Sequence, residues 1–80
     1  MDDFEVRTVA VAPGGVRAFD AAEWSDAIVL VKQGAIEVEC RAGGCRRFAQ
    51  GELLWLTGLP LRALHNRGPD EAVLVAISRR

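Results

Sequence analysis

The chain has 80 residues, half of them hydrophobic, with 10 Lys and Arg against 11 Asp and Glu. A chain this short makes one small domain that buries only about two-thirds of its unfolded surface. A formal net charge of −1 with no basic block lacks the electrostatic footprint of a nucleic-acid binder, and no apolar run is long enough to span a bilayer.

The start, MDDFEVR, is acidic and lacks the basic and apolar regions of a signal peptide, so the expectation is a cytoplasmic protein with no membrane partner. Phe4 to Val11 carries Val6, Val9 and Val11 among polar and small residues and reads as a first strand. Pro13-Gly14-Gly15 is a turn, and Val16 to Ala22 is irregular with room for a short strand. Trp24 to Val31 ends in Ile28-Val29-Leu30-Val31, a β-branched run that predicts a buried strand. After the tight turn Lys32-Gln33-Gly34, Ala35 to Cys40 alternates. Ile36, Val38 and Cys40 share one face, and Glu37 and Glu39 the other, wet one.

Cys40 and Cys45 flank Arg41-Ala42-Gly43-Gly44, which reads as a hairpin loop. Their sulfurs could meet across paired strands, but a cytosolic setting keeps thiols reduced and predicts no bridge. Two cysteines and a distant His are too few donors for zinc. Arg46-Arg47-Phe48 makes a short return strand, and Arg46 and Arg47 are expected to pair with Glu37 and Glu39 across it.

Gly51 to Gly68, GELLWLTGLPLRALHNRG, holds an apolar run, a turn, a polar-studded run and a second turn. Gly58 and Pro60 argue against a helix, so the stretch reads as two strands. If Leu61 to Asn66 is evenly extended, Arg62, Leu64 and Asn66 share one face, while Leu61, Ala63 and His65 share the other. After the turn Gly68-Pro69-Asp70, Ala72 to Ser78 is the last strand. Short strands, regular glycine turns and no helical period predict an all-β sandwich or barrel of one domain, with no internal linker or repeat.

From about Ala21 to Ile77 this order of strands and glycines resembles the cupin family, small jelly-roll barrels. The specific part is GELLWLTGLPLRALHN, in which Gly51 and Asn66 fall on the first and last positions of the family's second motif. That motif's proline position holds Thr57, its second glycine Leu59 and its metal-ligand histidine Arg62. Anchored on Gly34, the first motif places its two histidines at Ala21 and Glu23 and its acidic ligand at Ala27. The resemblance therefore implies a barrel over about 21–77 whose interior would house a ligand. The departures imply no iron, manganese or zinc and no other cofactor, since such metals need several imidazoles or carboxylates converging on one point.

Three residues stand as ligand-binding candidates: Glu23, Arg62 and Asn66. In the family register Glu23 and Arg62 both point into the barrel. They form either a structural ion pair or a clamp in which Arg62 grips a small anionic ligand through its carboxylate or phosphate. Asn66 either caps a turn or touches the ligand. His65, the single histidine, is expected on the outer side, and Trp24 and Trp55 in packing. The reading is a metal-free homodimeric cupin with a small-molecule-binding or structural role. The alternatives are an isomerase, epimerase or lyase using Glu23 and Arg62, or a sensor module. The homodimer follows from Ile28 to Val31, Leu53 to Leu56 and Ala72 to Ile77. Each of these is apolar at successive positions, so each leaves outward apolar side chains for a second chain to cover.

Overall fold

Turn chemistry cuts the chain into eight strands in the computed structural model, which describes residues 3–79. They are Phe4–Val11 (β1), Val16–Ala18 (β2), Ala27–Gln33 (β3), Ala35–Cys40 (β4), Cys45–Ala49 (β5), Leu53–Trp55 (β6), Leu61–His65 (β7) and Ala72–Arg79 (β8). Among the described residues no helix is long and apolar enough to cross a membrane.

The strands form two antiparallel four-stranded sheets, β1-β8-β3-β6 and β2-β7-β4-β5, in a jelly-roll arrangement. Period-2 alternation sends one side of each strand inward. In the first sheet Val9, Leu74 and Val31 form one inward row, and Ala76, Val29 and Leu54 the next. In the second sheet Ile36, Val38 and Leu64 face them, all buried. The core fills the space between the sheets, with Trp24 at 0% exposure the largest side chain in it.

Two boundaries differ from the sequence reading. The third strand begins at Ala27, not Trp24, because residues 21–26 form turns ending at Asp26, whose φ is +55°. The Asp26 amide donates to Thr57 Oγ1 at 3.0 Å, which ties this loop to the β6–β7 connection and lets Trp24 drop into the core. The barrel also takes in β1 and β2. Val9 and Val11 are core residues, and β1 pairs along its whole length with β8 of the same chain.

The turn between β3 and β4 turns on Gly34. Its φ is +75°, and a Cβ there would sit 2.7 Å from the Glu71 carbonyl oxygen, a backbone atom that cannot step aside. Gly34→Ala should therefore destabilise by about 1 to 3 kcal/mol, read as a lower urea midpoint with unchanged slope. An unaltered midpoint would mean the β4 start and the β7–β8 connection are not packed this closely.

Candidate functional site

One end of the barrel carries the charged cluster. Arg7 lies on the inward side of β1, across from Ala76, and Arg17 on that of β2, across from Leu64. Both reach Glu23 in the loop between β2 and β3. Arg7 Nη1 donates to Glu23 Oε2 at 3.1 Å and Nη2 to the Glu23 carbonyl oxygen, while Arg17 Nη2 donates to the same Oε2. The Arg7 guanidinium also lies 5.3 Å from the Trp24 ring centroid. Partial burial pushes the Glu23 carboxyl up, but the hydrogen bonds and charges of Arg17 and Arg7 outweigh it and hold its pKa below the usual 4.5. Glu23 is thus a shared anion, stabilised in its ionised form and poorly suited to carry a proton.

Arg62 does not meet Glu23, contrary to the family register. Across β4 and β7, Glu39 pairs with Ala63 but Cys40 pairs with Leu61, so Arg62 is the extra residue of a β-bulge. A bulge reverses the parity of everything beyond it. Leu61 turns into the core and Arg62 turns out, where its Nε lies 3.8 Å from Glu39 Oε2 with 62% of the side chain exposed. His65 also joins this outer row, its Nε2 2.8 Å from Glu39 Oε1. Glu37 accepts from Arg67 Nε at 2.9 Å. The partners of Glu37 and Glu39 therefore come from β7 and the residues beyond it. The expected ion pairs with Arg46 and Arg47 do not form among the described residues: Arg46 has the inward parity of Val38 and lies over the Phe48 ring, while Arg47 stands across from Glu37 but Arg67 takes that carboxylate.

Asn66 is 1% exposed and fully engaged by backbone. Its Nδ2 donates to the Val11 and Asp70 carbonyls at 2.9 and 2.8 Å, and its Oδ1 accepts from the Gly68 amide at 3.0 Å. Every side-chain hydrogen-bonding group the residue offers is used inside the chain except spare acceptor capacity on Oδ1. This is the capping role, and it leaves Asn66 no donor to give a ligand.

The donor set does not fit a transition metal. Among the described residues no three His, Cys, Asp or Glu side chains cluster, and Glu23, the one carboxylate at a family ligand position, already neutralises two arginines. Cys40 and Cys45 are both free. Cys40 has the inward parity of Ile36 and Val38, while Cys45 stands across from Glu39 on the outer side, so the two thiols face opposite ways.

Arg7 and Arg17 are the members of the cluster that sequence reasoning missed. The signal was present for Arg7, an arginine two residues before Val9 and four before Val11 on what reads as the buried face of a strand. A cation in that phase has to find a carboxylate.

No family model and no curated protein matches the chain. Solved structures do. It is similar to a Cupin 2 conserved barrel domain protein from Salinispora arenicola, at 21% identity and TM-score 0.76 over 94% of this chain and 61% of that one. It is similar to a Klebsiella pneumoniae protein with a double-stranded β-helix domain, at 19% identity and TM-score 0.77 over 96% of this chain and 67% of that one. A third similar structure is a sugar phosphate isomerase of the cupin superfamily from Silicibacter pomeroyi, at 22% identity and TM-score 0.71. This chain is covered completely there but spans only about half, 52%, of that protein. At these identities the likeness establishes the fold, a cupin-type barrel.

Because the folded pKa of Glu23 is depressed, its contribution to stability is present above the unfolded value near 4.5 and is lost as pH falls through the folded value. Glu23→Gln should cost about 1 kcal/mol at pH 7, since water at the barrel mouth screens the cluster. It should also show a smaller loss of stability than the parent protein below pH 4.5. Parallel stability curves across that range would show that Arg7 and Arg17 do not hold the carboxylate.

Asn66→Ala strands two carbonyls and one amide and should destabilise by about 2 to 4 kcal/mol, measured by chemical denaturation. A loss within experimental error would mean water reaches the site and takes over those bonds.

Proposed function

We propose that this chain works as a metal-independent, homodimeric cupin-fold module with a small-molecule-binding or structural role in the cytoplasm. The observation that carries the reading is the outer face of the first sheet. Val6, Ile77, Ile28 and Trp55 form one continuous cross-strand row there, exposed by 63, 40, 44 and 54%. Phe4 and Leu53 extend it. A solvent-facing sheet normally alternates polar residues on that side, and an apolar stretch across all four strands is the composition of an interface core. Covering it with a second copy contributes several kcal/mol, at roughly 25 cal/mol per Å², and a two-fold contact of this face with itself is the simplest closed arrangement.

Metal independence rests on the donor chemistry. Ala21, Ala27 and an outward Arg62 occupy the family's ligand positions, and Glu23 is committed to Arg7 and Arg17. The same geometry argues against an isomerase, epimerase or lyase built on Glu23 and Arg62. One is a locked anion, and the other is on the far side of its sheet. Cys40 and Cys45 face opposite ways and cannot bridge without refolding the hairpin, so both thiols stay free whatever the compartment.

Light scattering at micromolar concentration should give a mass of about 17 kDa, twice the 8.7 kDa of one chain. Ile28→Glu, a charge placed in the middle of the apolar row, should lower it to that of one chain with the β-sheet spectrum intact. A monomer across the dilution series for the parent protein would overturn the homodimer. Elemental analysis of untagged protein should find well under one iron, manganese, zinc or nickel per chain, and a stoichiometric metal would overturn metal independence.

A further inference from the structure

The two sheets part on one side. β5 and β6 are the edge strands of opposite sheets, they are not paired with each other, and the gap between them is a cleft of about 410 Å³. Its floor is made of buried or half-buried inward side chains, Val38 and Cys40 of β4, Phe48 of β5, Leu54 of β6 and Leu61 of β7, and its rim of the exposed Leu53, Trp55 and Leu59. The bulge at Arg62 helps to make it, because it is the bulge that turns Leu61 inward opposite Cys40. The volume falls in the range of small-ligand sites, and the lining is apolar with one convergent charge, which is their usual composition.

That charge is Arg46. It has the inward parity of Val38, and its guanidinium is held over the Phe48 ring, 5.5 Å from the centroid. Unlike Arg7, Arg17, Arg62 and Arg67, it makes no ion pair among the described residues. Stacking on Phe48 limits its freedom before any ligand arrives, which lowers the entropy lost on binding.

We propose that the cleft binds a small amphipathic anion, with an apolar body against Phe48, Trp55 and Leu59 and a carboxylate on Arg46. The cation selects the charge class, since a guanidinium receives a carboxylate with two parallel hydrogen bonds. The apolar lining selects the body, because a strongly hydrated anion such as inorganic phosphate gains nothing from Trp55 and Leu59. The site deepens the small-molecule-binding role proposed above and rests on it; its rim shares Leu53 and Trp55 with the apolar face of the first sheet, but it is built from one chain and does not require the homodimer.

Decanoate serves as the probe and decan-1-ol as its uncharged counterpart, with binding followed by calorimetry. Arg46→Gln is an exposed substitution that leaves the walls intact, and it should weaken decanoate by about ten-fold or more while leaving decan-1-ol unchanged. In a Cys45→Ser background, saturating decanoate should slow alkylation of Cys40 by iodoacetamide several-fold, because that thiol lines the cleft. Ile28→Glu should bind decanoate as the parent does. Equal decanoate affinity in Arg46→Gln, no protection of Cys40, no binding at all, or binding lost with Ile28→Glu would each overturn the cleft as the site. Light scattering on the same samples reports the homodimer separately, so failure of the one is not failure of the other.

Discussion

The fold depends on one buried amide. Asn66 follows β7 and is the one polar side chain in the core among the described residues. Its side chain holds the Val11 carbonyl at the end of β1 and both ends of the turn toward β8. Its backbone completes the set, the amide donating to the Gly15 carbonyl and the carbonyl accepting from the Gly14 amide. The β1–β2 and β7–β8 connections both pass from one sheet to the other, so a single residue fastens the two crossings together at one end of the sandwich. Buried carbonyls and amides left unpaired cost far more than a hydrogen bond returns, and that asymmetry makes the fastening specific.

At the opposite extreme of polarity, Glu23 and its two arginines close the mouth of the barrel. Arg7 comes from the first sheet and Arg17 from the second, so one carboxylate bridges the two. The indole nitrogen of Trp24, beneath Arg7, has no hydrogen-bond partner among the described residues. The ring is held by packing and by the cation above it. In a barrel this small, apolar side chains around Trp24, Val29 and Leu64 fill the space between the sheets. That space is therefore a packed core.

Charge and apolarity are also divided between the two outer surfaces. The second sheet carries Glu37, Glu39, Arg62, His65 and Arg67 in paired rows, a surface fitted to water. The first carries Val6, Ile28, Trp55 and Ile77 across all four strands. The two outer faces of one chain thus differ in kind, one charged and paired, the other apolar across all four strands.

The sequence by itself determined that the chain is all-β, where its glycine- and proline-marked turns fall and which stretches face the core. Glycine and proline interrupt the chain at local positions, and period 2 is a local property. The alternation of Ile36, Val38 and Cys40 with Glu37 and Glu39, the outward apolar positions of β3 and β6, and the capping role of Asn66 were legible for that reason. The cupin resemblance was legible from Gly34, Gly51 and Asn66, because glycines mark places where only one backbone conformation fits. What only the tertiary structure decided was which charges meet. A single inserted residue in the β4–β7 ladder reversed Arg62, and nothing in Leu61-Arg62-Ala63 announces a bulge, since the register belongs to the pairing of two strands and not to either one. In the same way Arg7, Arg17 and Glu23 lie far apart along the chain or across a turn, and they became one cluster only when the two sheets closed over Trp24.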